Sequence, residues 1–206
     1  MDLSRPYAVI SPSLDPGVLA VLAGTTKPLT GREIARLVGR PSHSGVIAVL
    51  ERLVDQGIVD REEAGRAFLF TLNREHLAAP AVDLLADLRE ELLRRIRDTV
   101  DGWGVKAMHL SLFGSAARGE GGTESDIDLF VIRHKLIEGQ EPVWREQLDR
   151  LAWQVERWTG NPARIVEVED REVSSLRKRR PPVVSELLND AITLVGPDVS
   201  TLLGEA

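Results

Sequence analysis

The segment that most restricts the fold is Phe113-Gly114-Ser115-Ala116-Ala117-Arg118-Gly119, followed by Glu124-Ser125-Asp126-Ile127-Asp128-Leu129-Phe130-Val131. The run from Ala107 to Phe113 reads as a strand. A Gly-Ser pair at the turn from strand to helix lets backbone N–H groups approach an anion closely, and a helix N-terminus favours negative charge there. Ser115 adds a hydroxyl donor. Asp126 and Asp128 are one residue apart, so on a strand both carboxylates leave the same face while Ile127 and Leu129 enter the core. Such a pair can hold one or two magnesium ions. Two ions about 4 Å apart would clamp the attacking and leaving oxygens of an in-line phosphoryl displacement.

The pattern around this segment is that of an α+β domain. Ile127 to Ile132, Arg164 to Val168 and Ala191 to Val195 read as further strands. A helix from about Glu141 to Trp158, with Trp144, Leu148, Leu151, Val155 and Trp158 in register, separates two of them. Upstream, Pro80 to about Asp101 reads as one longer helix with Leu85, Leu88, Leu92 and Ile96 on one side and Leu84 and Leu93 beside them. That wide stripe fits packing against both neighbouring domains or against a second copy of the chain, a homodimer. Before it lie helices at Asp15 to Gly24, after Thr30, and after Ser42 or Ser44, then strands at Ile58-Val59 and Ala67 to Leu72 flanking a charged turn from Glu62 to Arg66. Thr30 with Glu33 has the spacing of a capping box. The expected domains are residues 1–76, a connecting helix at 77–102, and residues 103–206.

Composition narrows the chemistry. With no cysteine there are no disulfides or thiolate metal sites, which leaves carboxylates and the four histidines as metal ligands. No apolar stretch approaches the roughly 20 residues a membrane helix needs, and the start of the chain lacks a basic segment followed by an apolar run. A soluble, cytoplasmic protein with no membrane partner is expected. A net charge of −6 argues against nucleic acid wrapped over the whole surface. Residues 1–76 carry nine Lys/Arg and nine Asp/Glu, so that half is neutral.

A lone Gly-Ser turn or a lone Asp-x-Asp is usually structural. Here ten residues separate Ser115 from Asp126, and the resulting Gly-Ser-x10-Asp-x-Asp resembles the minimal nucleotidyltransferase branch of the DNA polymerase β-like superfamily. The flanking Leu-Phe, Ala-Arg-Gly and Ser-Asp-Ile-Asp-Leu also look like that branch, and Leu187 to Gly196 is similar to its terminal helix and strand. The resemblance implies a mixed sheet flanked by helices and an NTP, ATP first, whose triphosphate lies over Gly114 and Ser115. It further implies Mg2+, two ions, on Asp126 and Asp128, attack on the α-phosphate and departure of pyrophosphate. Arg118 either steadies a phosphate or is a surface arginine. Members of the branch often carry a third carboxylate on the next strand. Glu167, in Val166-Glu167-Val168, occupies that place as the third catalytic and metal residue, with Glu169 of the same parity as its competitor. The acceptor is a hydroxyl on a protein, an RNA or a small molecule, and the setting that of an antitoxin or regulator.

The front domain resembles winged helix-turn-helix regulators through Leu29 to Ala35 and Leu50 to Val59. Gly45, Ile47 and Ala48 on its would-be reading helix offer little to base edges. Arg32, Arg36, Arg40, His43, Ser44, Arg61 and Arg66 are the expected DNA contacts, mostly to phosphates. This leaves a second reading, a DNA-binding regulator whose nucleotidyltransferase-like domain only senses nucleotide. The run Arg177-Lys178-Arg179-Arg180 meets a phosphate-rich acceptor or is a solvated face, and His109 reads as a packed strand histidine.

Overall fold

The structure is a computed structural model that describes residues 1–39 and 42–204. The chain forms two compact units: Arg5–Arg89, and Met1–Ser4 together with the chain from Glu90. The division falls inside the stretch read above as a single connecting helix.

In the first unit a short 3-10 turn, Pro6–Val9, precedes α1 (Asp15–Ala23), β1 (Leu29–Thr30), α2 (Gly31–Leu37), α3 (His43–Asp55), β2 (Val59–Ala64), β3 (Ala67–Leu72) and α4 (Ala79–Ala86). The strands form an antiparallel sheet in the order β1-β3-β2. The start of α2 is fixed by the expected capping box. Glu33 N–H donates to Thr30 Oγ1 (3.3 Å) while Thr30 N–H donates to Glu33 Oε2 (2.8 Å). Ser42 caps α3 by accepting from Gly45 N–H at 3.1 Å. Val18, Leu22, Ile34, Val46, Leu50, Phe70 and Val82 close one core.

The second unit contains α5 (Leu88–Asp101), β4 (Ala107–Phe113), α6 (Gly114–Arg118), β5 (Ile127–Arg133), α7 (Gln140–Thr159), β6 (Ala163–Glu169), α8 (Asp170–Arg179), α9 (Pro182–Asp190), β7 (Ile192–Val195) and α10 (Val199–Leu203). The expected helix over Pro80 to Asp101 is therefore two helices, broken at Asp87, and Leu84 is 73% exposed rather than packed. Aspartate is a poor helix former because its short side chain competes for backbone hydrogen bonds.

The sheet runs β6-β5-β4-β7, with β5 and β6 parallel and the other pairs antiparallel. Helix α7 is the crossover that a parallel pair requires. Both faces of the sheet are covered, which explains why β5 is apolar throughout its middle. Ile127, Leu129 and Val131 pack with Leu92 and Ile96 of α5 and Trp144, Leu148 and Leu151 of α7. Phe130 and Ile132 pack with Phe113 and with Val184 and Leu187 of α9 and Leu203 of α10. Trp144 is wholly buried and meets Trp103 edge-on at 5.3 Å between ring centroids. His109 is buried as well. Its Nδ1 bonds to the Pro197 carbonyl (2.8 Å), which can only accept, so Nε2 accepts from Ser111 Oγ (3.0 Å), and burial lowers the pKa of the ring. Among the described residues no helix is long and apolar enough to cross a membrane.

Candidate active site

Strand β4 ends at Phe113 in extended conformation and the chain turns into α6 at Gly114, whose φ is +70°. A side chain is excluded at this glycine twice over. The positive φ disfavours one, and a Cβ would stand 2.8 Å from Asp128 Oδ2. The backbone of the turn therefore lies directly against the Asp128 carboxylate. Ala116 and Ala117 are buried and hold α6 down, and Ser115 is half-buried with its Oγ toward Gly121.

Asp128 sits opposite Phe113 on one side and opposite Arg164 on the other. Burial pushes its pKa up, the Arg164 guanidinium opposes that shift, and the negative charges of Asp126 and Glu186 add to it. Asp126, just before β5, is exposed. The turn and the Asp128 carboxylate thus come together, with the Asp126 charge close enough to act on it, while Ser115 Oγ lies toward Gly121. A half-buried carboxylate that feels the negative charge of two others and abuts a side-chain-free turn is a place where a cation relieves repulsion. The all-oxygen donor pair suits a hard divalent ion such as Mg2+.

Other expected members of the site stand elsewhere. Glu167 pairs with Val131 and so leaves β6 on the α7 face, opposite to Asp128. Its carboxylate accepts from Arg133 Nε (2.7 Å), Trp144 Nε1 (3.0 Å) and Arg145 Nη1 (3.0 Å). Glu169 shares that face, accepts from Arg133 Nη1 (3.0 Å) and forms a capping box with Glu172 at the start of α8. Neither reaches the aspartates. The β6 positions on the Asp128 side are Arg164, Val166 and Val168. Among the described residues no three His, Asp or Glu side chains gather as a metal cluster. Arg118 is exposed, and its guanidinium is engaged by Glu120 (2.7 Å) and Asp190 (2.8 Å), contacts that favour its charged form.

In the first unit, Arg32, His43, Arg61 and Arg66 line one cavity of about 440 Å³ with Ile47, Glu51, Phe68 and Phe70. The Arg61 guanidinium lies 4.9 Å from the centre of the Phe68 ring. Arg36 and Ser44 are exposed but do not line it, and Arg40 lies outside the described residues.

Three residues near the aspartates carry no local sequence signal. Arg164 and Glu186 are brought to Asp128 by strand pairing and by α9, and Asn161, in a Gly-Asn-Pro turn, is wholly buried beneath the segment before Asp126. Gly160-Asn161-Pro162 announces a turn and nothing more.

The family model described as a nucleotidyltransferase domain matches residues 89–192. No curated protein matches the chain. Among solved structures, one described as "Crystal structure of the toxin-antitoxin with AMP-PNP" aligns with a TM-score of 0.36 and 18% identity, over 56% of this chain and 80% of that one.

Proposed function

The chain belongs to the nucleotidyltransferase domain family, and from that premise we propose that it transfers a nucleoside monophosphate, AMP first, from an NTP to an acceptor hydroxyl. The observation that carries the proposal is the contact of the Gly114 turn with the Asp128 carboxylate, with Asp126 alongside. The acceptor hydroxyl loses its proton to solvent as its oxygen forms a bond to the α-phosphorus, the bond from that phosphorus to the bridging oxygen breaks, and pyrophosphate carries away the electron pair. Backbone N–H groups at Gly114 and Ser115, with the Ser115 hydroxyl, bind the triphosphate. Asp126 and Asp128 would hold Mg2+, which when bound neutralises charge developing on the phosphoryl oxygens. Arg118 joins the phosphates only if its bonds to Glu120 and Asp190 open. The acceptor is a protein, an RNA or a small molecule, in an antitoxin or regulatory setting.

The test is incubation with each α-labelled NTP, Mg2+ and a host lysate. ATP is expected to label a discrete macromolecule or small product, and failure of all four NTPs to label anything would overturn the proposal.

A second reading concerns residues 5–89. Arg32, His43, Arg61 and Arg66 converge on one cavity beside the β2–β3 hairpin, which favours a winged helix-turn-helix that binds duplex DNA through its phosphates. On that reading the chain is a DNA-binding regulator whose nucleotidyltransferase unit senses nucleotide. Affinity should fall steeply with salt and vary little among sequences. A preference of about a thousandfold for one duplex at physiological salt would contradict phosphate-dominated binding.

A further inference from the structure

Asp128 is held in the sheet by strands on both sides, but Asp126 is not in a strand. It ends an irregular segment that leaves α6 at Gly119, and the position of its carboxylate depends on what fixes that segment. Leu3 N–H donates to Gly121 O (2.7 Å) and Gly122 N–H donates to Ser125 Oγ (3.1 Å). Asn161 Nδ2 donates to Gly122 O (3.0 Å) and to Ser125 O (2.9 Å). The Ser125 carbonyl belongs to the peptide group that precedes Asp126. The peptide group that follows Asp126 is held too, because Ile127 N–H donates to Pro162 O at 2.8 Å. Both peptide planes flanking the Asp126 α-carbon are thus bonded to the dipeptide Asn161-Pro162.

The chemistry of an amide suits the place. Asn161 is wholly buried, its Nδ2 supplies two N–H groups to two carbonyls, and its Oδ1 accepts from the Met1 amino group. Its own N–H donates to Thr159 Oγ1 at 3.0 Å. Aspartate in its place would set a carboxylate against two carbonyl oxygens, and alanine would remove the bond to Ser125 O and leave Gly122 O only its bond from Ser125 N–H (3.2 Å).

We infer that Asn161 is the positioning residue of the site: it does for Asp126 what the sheet does for Asp128, and thereby sets the separation of the two carboxylates. The inference rests on the nucleotidyl-transfer reading above. It is tested with Asn161→Asp and Ser125→Ala in the full chain. The readouts are Mn2+ binding in the presence of ATP, followed by electron paramagnetic resonance, the Mg2+ dependence of label transfer, and the melting temperature. Loss of an outer-shell support costs metal affinity about tenfold to a hundredfold, and that is the loss expected in Asn161→Asp. Half-saturating Mg2+ should rise in parallel and kcat should fall, while the KM for ATP at saturating Mg2+ changes by less than about threefold. Ser125→Ala removes only the Gly122 N–H bond and should weaken Mn2+ binding by about threefold, a loosened but intact clamp. A purely structural Asn161 would lower the melting temperature and leave the metal dependence of the folded protein as in wild type. That result, or wild-type Mn2+ binding in Ser125→Ala should Asn161→Asp not fold, overturns the inference. If wild type itself binds no Mn2+ with ATP, the nucleotidyl-transfer reading falls and the inference falls with it.

Discussion

Glu167 accepts three hydrogen bonds, from Arg133, Trp144 and Arg145, and with its side chain 16% exposed it ties β5 to α7 through its carboxylate. Glu167→Gln replaces one acceptor oxygen by an amide that faces donors, so it should destabilise the fold by about 1–3 kcal/mol and leave label transfer per folded molecule unchanged. Loss of transfer at an unaltered melting temperature would instead return Glu167 to the site. Asp128 behaves in the opposite way. Its folded pKa is raised above 3.8, so its contribution to stability is present below that pH and is lost as the pH rises through the folded value. At neutral pH without metal the ionised carboxylate is a liability, and Asp128→Asn should melt about 2 °C higher than wild type in a metal chelator. A lower melting temperature would show that the carboxylate stabilises the metal-free fold. The alternation of Asp128 with Ile127 and Leu129 was legible in the sequence, whereas Asp126, read on the same strand, lies just before β5 and outside it. The face of Glu167 was not legible. On β6, Ile165 packs toward one core and Val166 and Val168 toward the other, so alternation does not say which side is the site. Only the pairing of Glu167 with Val131 decides it.

Among the elements, α2 was readable to the residue because Thr30 and Glu33 carry their own start signal. Thr30→Ala removes the acceptor for Glu33 N–H and should cost about 1 kcal/mol, read as a lower urea midpoint for the unit spanning residues 5–89. An unchanged midpoint would mean that β1 pairing, and not the cap, fixes that helix start. Strands β4 and β5 were legible from their apolar runs. The strand β2 was cut short in the reading, because Asp60 to Ala64 are exposed on both faces and resemble a charged turn. The break at Asp87 was hidden for a related reason. Helices α4 and α5 each bury apolar residues at helical spacing, Val82 in one and Leu92, Leu93 and Ile96 in the other, and the periodicity runs through the junction. Helix α8 has no buried residue and was missed; Arg177, Lys178 and Arg179 occupy its last turn, where cations complement the helix dipole.

For the whole molecule, the family match over residues 89–192 starts one residue before Glu90, where the main segment of the second unit starts, and that unit alone contains the turn, the serine and both aspartates. The site is therefore a property of one unit, while the arginine-lined cavity of residues 5–89 belongs to the other. Neither an acceptor nor a duplex could be written in the sequence, since any such partner would be recognised by surfaces that folding assembles from distant residues. If the chain transfers nucleotides as proposed, the chemistry depends on Asp128 beside Gly114 and on Asp126. The direct measurement is transfer of α-labelled nucleotide, with Mg2+ and lysate, by wild type and by the double variant Asp126→Asn/Asp128→Asn, each checked for a native melting transition. An amide replaces a charged oxygen ligand only weakly, so transfer by a folded double variant should fall below detection. Transfer at the wild-type rate by that folded variant would contradict the account.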